Sequence, residues 1–311
     1  MVYDEKTVSL TKDMFEVLGI DKDSAEHISA PSVSYWSDTW RRLRKNKLAL
    51  LGFFVLGIMI LMSIFGPMMF GYDYKVSDLS QANQPPSAEH LLGTDTLGRD
   101  LWTRNWVGGR VSIAIGFIAA ILQVVVGVII GALSGYIGGK FDMFIMRVVD
   151  VLIAIPYLVW VTLLMLVTGA GIVPMILALT LTGWLGMARM VRGQVLQMKN
   201  EDYVLSAISL GAGSWRVILK HMIPNTIGII MVNLTFAIPG AMFSEAFLSF
   251  IGIGISSPMT SWGQLISMGL KVMNLYPYQL VWPCVFISAT MLSLQMIGDG
   301  LRDALDPKLR R

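Results

Sequence analysis

From Leu48 to Phe70 the chain runs for 23 residues without a charged side chain. As a helix rising about 1.5 Å per residue this run is about 34 Å long, against a hydrocarbon core of about 30 Å, and it is read as a membrane span. The long polar or mixed stretch before it, with no small-residue cleavage site after it, points to an uncleaved anchor rather than a signal peptide. Five more continuous apolar runs follow, at Val111 to Tyr136, about Met146 to Thr168, Ile172 to Ala188, about Thr226 to Phe250 and about Leu280 to Gly298. They are continuous rather than alternating, so helices rather than barrel strands are expected. Charged residues are only 14% of the chain and hydrophobic ones 54%. The charged share is about half that of a soluble domain and leaves part of the surface to lipid. The expected fold is all-α and integral to the membrane, with six transmembrane helices. A soluble enzyme, a coiled coil and a disordered chain are excluded, and a net charge of +3 is too small and scattered for nucleic acid. A single cysteine, Cys284, excludes an internal disulfide or a cysteine-cluster metal site.

Orientation follows from the basic residues. Of the 24 lysines and arginines, 19 fall in residues 1–47, 137–147, 189–225 and 299–311. By the positive-inside rule those segments and both termini are cytoplasmic. The expected organisation is a cytoplasmic tail (1–47), a first span (48–70), an external loop (71–110), a core of five spans (111–300) and a cytoplasmic tail (301–311). A second external loop covers 251–279, and a long cytoplasmic loop covers 199–225. The first 35 residues hold seven acidic side chains against three lysines. Trp36, Trp40 and Leu43 then recur at helical spacing beside Arg41, Arg42 and Arg44, a pattern for a short interfacial helix that anchors topology or holds a lipid.

Catalytic chemistry is missing. Gly138-Gly139-Lys140 is followed by Phe141 and lacks the earlier glycine of a phosphate-binding loop, so nucleotide hydrolysis by this chain is not expected. His27, His90 and His221 sit in three regions on both sides of the membrane and cannot share a metal. No catalytic residue, metal or bound cofactor is assigned. Only Glu245 lies clearly inside a span, where it either contacts a pathway or pairs within the bundle; Asp150 and Arg189 sit near span ends. Gly127, Gly131 and Gly135 share one helix face and invite close approach by another helix. Pro156, near the middle of the third span, is expected to kink it.

The 199–225 loop carries the functional signal. Tyr203 to Leu210 suits a short helix with Glu201 and Asp202 at its start. Gly211 and Gly213 break it, and Ser214 is positioned to cap a second helix ending before Pro224. Two short helices about a sharp turn make a knuckle, which is either a lever for a partner or an inert elbow. Ala207, Gly211 four residues on, and Pro224 after apolar Ile223 resemble the EAA loop of ABC-importer membrane subunits, departing from it at Leu205 and Ser206, where that motif has Glu and Ala.

Three further blocks narrow the resemblance: His90 to Asp100 with Arg104 and Gly109 to Ser112; Glu245 to Gly254 with Pro258 and Ser261 to Gly263; and Gly298 to Pro307. Together, over about residues 36–311, they are similar to the C-type membrane subunit of the dipeptide/oligopeptide permeases. The resemblance implies a type I importer permease fold in a bacterial plasma membrane. It also implies a homologous B-type permease sharing the translocation path, two cytosolic ABC ATPases that hold ATP and Mg, and an extracytoplasmic binding protein that delivers peptide. Glu201, Asp202, Tyr203, Ala207, Gly211, Ser214, Arg216 and Pro224 would then couple to an ATPase. Segments 90–104 and 252–279, with Asp95, Arg99, Asp100 and Trp262, would receive the binding protein or else form a folded cover. Relatives with the same motifs carry nickel complexes, glutathione or oligosaccharides. A membrane scaffold that moves no solute and an ion-driven carrier are the readings from other classes.

Overall fold

The structure is a computed structural model that describes residues 35–305. The chain divides into units at Met1–Asp38 and Thr39–Arg311. The acidic stretch 1–34, the Trp36 side chain and the terminal residues 306–311 lie outside the described residues.

A short helix, α1 (Tyr35–Leu43), occurs where the interfacial helix is expected. Trp40 is exposed with the Arg44 guanidinium 4.9 Å over its ring, but Leu43 is buried with Ala49 and Ala304 instead of joining a lipid-facing side. Asn46 caps α2 (Lys47–Phe65), its Oδ1 accepting the Leu48 and Ala49 amides at 3.1 Å. A 3₁₀ turn, Gly66–Met68, prolongs the helix.

Helix α3 (Leu101–Ile137) starts ten residues before the expected Val111, where the loop was expected to continue. Hydropathy misses this start because it is polar, yet several of its groups find partners locally. Asp100 caps the helix through the Thr103 amide at 2.8 Å, and Arg110 donates to the Ser63 and Ile64 carbonyls at the end of α2, each at 3.1 Å. Thirty-seven residues make a helix of about 55 Å, well beyond the roughly 30 Å apolar layer.

The expected third span is two helices, α4 (Gly139–Ala154) and α5 (Tyr157–Thr168), bent by 87°. Proline accounts for the break. It pushes Ile155 into extended backbone (φ −86°, ψ 127°) and supplies no amide to bridge the gap. Among the described residues, five helices are therefore long and apolar enough to cross a membrane, and six only if α4 and α5 count as one broken span.

Helix α6 (Ile172–Met198) outruns the expected Ala188 by ten residues. Its arginines continue the helix because they bind α4: Arg192 forks onto both Asp142 oxygens at 2.5 Å, and Arg189 meets Asp150 at 2.6 Å. The expected glycine face meets this helix. A Cβ on Gly127 would stand 2.6 Å from Met187 Cβ, one on Gly135 2.9 Å from the Arg192 carbonyl, and one on Gly131 inside the Ala188 carbonyl.

The rest is α7 (Asp202–Ser209), α8 (Ser214–Val217), a π turn (Ile218–Met222), α9 (Ile223–Phe250), α10 (Trp262–Val272) and α11 (Tyr278–Leu305). The expected second loop helix does not end before Pro224. It runs through the π turn straight into α9, and Pro224 falls where the i→i−4 pattern is already broken, so its missing amide costs little. No strand occurs among the described residues; Thr94 and Asp100 form an isolated bridge.

Candidate functional site

The knuckle is built on one turn. Leu210 ends α7, Gly211 takes φ +84°, its amide donates to the Ile208 carbonyl at 2.9 Å, and the Ala212 amide donates to the Ala207 carbonyl at 3.0 Å. That pair of bonds is the Schellman C-cap, which wants glycine at the left-handed residue. The Ala207-x3-Gly211 spacing thus has a local physical cause. Ser214 is the first residue of α8 and makes no capping bond; Gly213 holds the cap position. Glu201 likewise caps α7 by backbone position alone, with Asp202 in the first turn.

Glu201, Asp202, Tyr203, Gly211, Ser214, Arg216 and Pro224 are exposed and Ala207 is half-buried. At the tip Leu210 is 89% and Trp215 63% exposed, flanked by exposed Leu205, Ile208 and Leu219. Beneath this apolar tip the opposite face is buried. Val204 of α7 and Val217, Ile218 and Met222 of the second arm join Val191 and Val195 of α6, Val124 and Ala132 of α3 and Ile230 of α9 in one cluster. Lys199 fastens the root, its Nζ donating to the Tyr136 carbonyl at 2.6 Å. Close-packed side chains thus join the base of the tip to three long helices.

The residues expected to receive a binding protein are placed differently. Asp95, Arg99, Asp100 and Trp262 are all buried, so their side chains are not an open docking surface. Asp95 folds its own turn, accepting the Leu97 and Arg99 amides at 2.8 and 3.0 Å and Arg99 Nε at 2.8 Å, with Arg104 Nε at 3.4 Å. Asp100 caps α3 and holds His90 Nδ1 at 2.9 Å, while Gln81 Oε1 stands 2.9 Å from the other ring nitrogen. Gln81 ends a 3₁₀ turn begun by Asp78, whose carboxyl is held below the ordinary range by the Ser80 hydroxyl and amide. These acids organise the 71–100 segment from within.

Glu245 lies inside the bundle. It is fully enclosed, accepting the Ser112 hydroxyl of α3 and the Ser249 hydroxyl of its own helix, both at 2.8 Å. Ser112 Oγ in turn accepts the Trp262 amide at 3.2 Å, and the indole donates to the Asn105 carbonyl at 3.0 Å. Through these bonds Glu245 joins α9 to α3 directly and to α10 by way of Ser112.

A cavity of about 630 Å³ opens between α3, α4, α5, α6 and α9. Its polar lining comes from Gln123, Tyr157, Thr182, Asn233 and Ser244. Hydropathy and motif reading miss these five, because neutral polar residues scattered over four helices form no pattern in one dimension.

A family described as the binding-protein-dependent transport system inner membrane component matches residues 127–311, and the N-terminal TM domain of oligopeptide transport permease C matches residues 34–86. The oligopeptide transport system permease protein OppC of Bacillus subtilis (strain 168) is 48% identical over 303 residues, covering 97% of this chain and 99% of that protein. The dipeptide transport system permease protein DppC of the same strain is 47% identical over 301 residues, covering 96% and 94%. OppC of Escherichia coli (strain K12) is 38% identical over 288 residues, covering 92% and 95%.

Proposed function

Since the chain belongs to the inner membrane components of binding-protein-dependent transport systems, in their OppC/DppC-type branch, we propose that it is half of a peptide importer's pore and that its 201–224 knuckle seats a cytosolic ATPase. The chain is a non-catalytic transport subunit. A homologous B-type permease supplies the other half, two ABC ATPases bind ATP and Mg, and an extracytoplasmic binding protein delivers peptide. The subunit lies in a bacterial plasma membrane with both termini cytoplasmic, a reading supported by 19 of its 24 basic residues.

The observation that carries the seat is the apolar tip of Leu210 and Trp215, exposed on a turn whose other face is rooted in the spans. Apolar side chains held out together by a rigid base mark a surface that a partner covers. ATP-driven closure of the ATPases presses this tip, the load passes to α3, α6 and α9, and access to the path alternates. On the far side, the 90–104 and 252–279 segments meet the binding protein with their outer faces, and Asp95, Arg99, Asp100 and Trp262 keep those faces in shape.

Leu210→Asp tests the seat. The side chain has few contacts to lose, so the purified subunit is expected to keep its thermal stability within about 0.5 kcal/mol. Retention of the ATPase during co-purification is expected to fall at least about tenfold, as for a central interface anchor. Undiminished retention would place the ATPase elsewhere.

A further inference from the structure

The cavity between α3 and α9 has a chemical bias. None of its lining residues is charged, and five carry neutral polar groups. Gln123 is the most firmly placed. Its Nε2 donates to the Leu179 carbonyl at 3.0 Å, and it occupies space that a side chain at Gly183 would fill, with Nε2 and Oε1 each 2.5 Å from where that Cβ would be. Its Oε1 has no protein donor among the described residues, and neither has Asn233 Oδ1, whose Nδ2 is engaged by the Ile229 carbonyl at 2.9 Å. The Tyr157 hydroxyl is buried and unpartnered, with Ser244 beside it but no hydrogen bond of acceptable geometry between them.

We propose that this cavity grips a peptide by its main chain, Gln123 Oε1 accepting an amide N–H and the Tyr157 hydroxyl donating to a carbonyl, and that it is blind to side-chain charge. A peptide group offers one donor and one acceptor, and the cavity offers acceptors in Gln123 Oε1 and Asn233 Oδ1 and a donor in the Tyr157 hydroxyl. A volume of about 630 Å³ suits a small ligand or a short stretch of chain. A fixed charge here would favour one sign of side chain and hold it. A neutral lining lets any sequence pass while leaving the constant backbone as the only handle, so Gln123 and Tyr157 are substrate-contacting residues. The proposal rests on the chain being a peptide permease, and adds which part of the peptide it reads.

The test uses the assembled importer in proteoliposomes, with peptides matched for affinity to the binding protein so that delivery does not vary. The wild type is expected to take up neutral, anionic and cationic tripeptides at rates within about threefold, and to lose about three- to tenfold when a backbone amide is N-methylated, one hydrogen bond's worth. In Gln123→Leu all the unmethylated peptides are expected to slow by that factor and the N-methyl penalty to vanish, which a merely structural defect would not produce. Ser244→Asp, which breaks no hydrogen bond, is expected to favour cationic over anionic peptides by about tenfold. A wild type that discriminates by charge more than tenfold, or shows no N-methyl penalty, overturns the proposal while leaving the peptide-permease reading intact. An unchanged N-methyl penalty in Gln123→Leu overturns it equally. No uptake of any peptide by the wild type would instead remove the permease reading on which it rests.

Discussion

Gly211→Ile is expected to leave the importer hydrolysing ATP while peptide uptake per ATP falls at least about tenfold. The cause is conformational, not steric: Gly211 sits at φ +84°, and a Cβ there would meet nothing within 4 Å. A left-handed backbone costs an ordinary residue about 1–2 kcal/mol, and a β-branched one is a genuine outlier there. Isoleucine therefore opens the turn, releases the Ile208 and Ala207 carbonyls from their caps, and lets the Leu210–Trp215 tip move without moving α6 and α9. Asparagine tolerates the left-handed region, so Gly211→Asn is expected to keep coupling near the wild-type value. The measurement is the ratio of uptake to ATPase rate in proteoliposomes. A normal ratio for Gly211→Ile would show that the turn transmits nothing.

Gly131→Leu is expected to do the larger structural damage, costing about 3 kcal/mol or more and removing most of the protein from the membrane fraction. Its Cβ would overlap the Ala188 carbonyl oxygen and stand 3.0 Å from Ala188 Cα. Those are backbone atoms, so no rotamer change relieves the clash, and α3 and α6 must separate along the crossing that Gly127 and Gly135 also line. Because α6 carries Val191 and Val195 into the cluster under the knuckle, the damage extends to the lever's root. Gly193→Ala, at a position where a Cβ meets nothing within 4 Å, is the matched control and is expected to stay within about 0.5 kcal/mol. Thermal unfolding of the detergent-purified subunit reads both, and equal midpoints for the two variants would contradict the close crossing.

What could be read from one dimension divides along a physical line. Apolar runs located the spans because lipid imposes length and hydrophobicity on each helix separately. Their ends were misplaced where helices leave the apolar layer. Arg104, Asn105 and Arg110 are polar but each donates to a neighbouring carbonyl, and Arg189 and Arg192 are charged but matched by acids of α4, so neither group stops its helix. Pro156 was legible as a kink because proline acts on its own backbone; that the bend reaches 87° depends on what surrounds it. The knuckle's turn was legible for the same local reason, a glycine cap four residues after Ala207. Ser214 as a cap and Pro224 as a stop were local readings overridden by the π turn. Asp95, Arg99, Asp100 and Trp262 look like surface chemistry in a polar loop, and only the fold turns them inward. Glu245 found one of its partners, Ser112, across 133 residues of chain, a pairing that no spacing rule encodes.

As proposed above, this chain moves peptide only as the driven half of a larger machine. The most direct measurement is ATP-dependent peptide uptake by proteoliposomes containing this subunit with the B-type permease, the two ATPases and the binding protein, and then with each omitted in turn. Uptake that requires the complete set and ATP hydrolysis is the predicted result; uptake by this chain alone, or driven by an ion gradient without the ATPases, would contradict it.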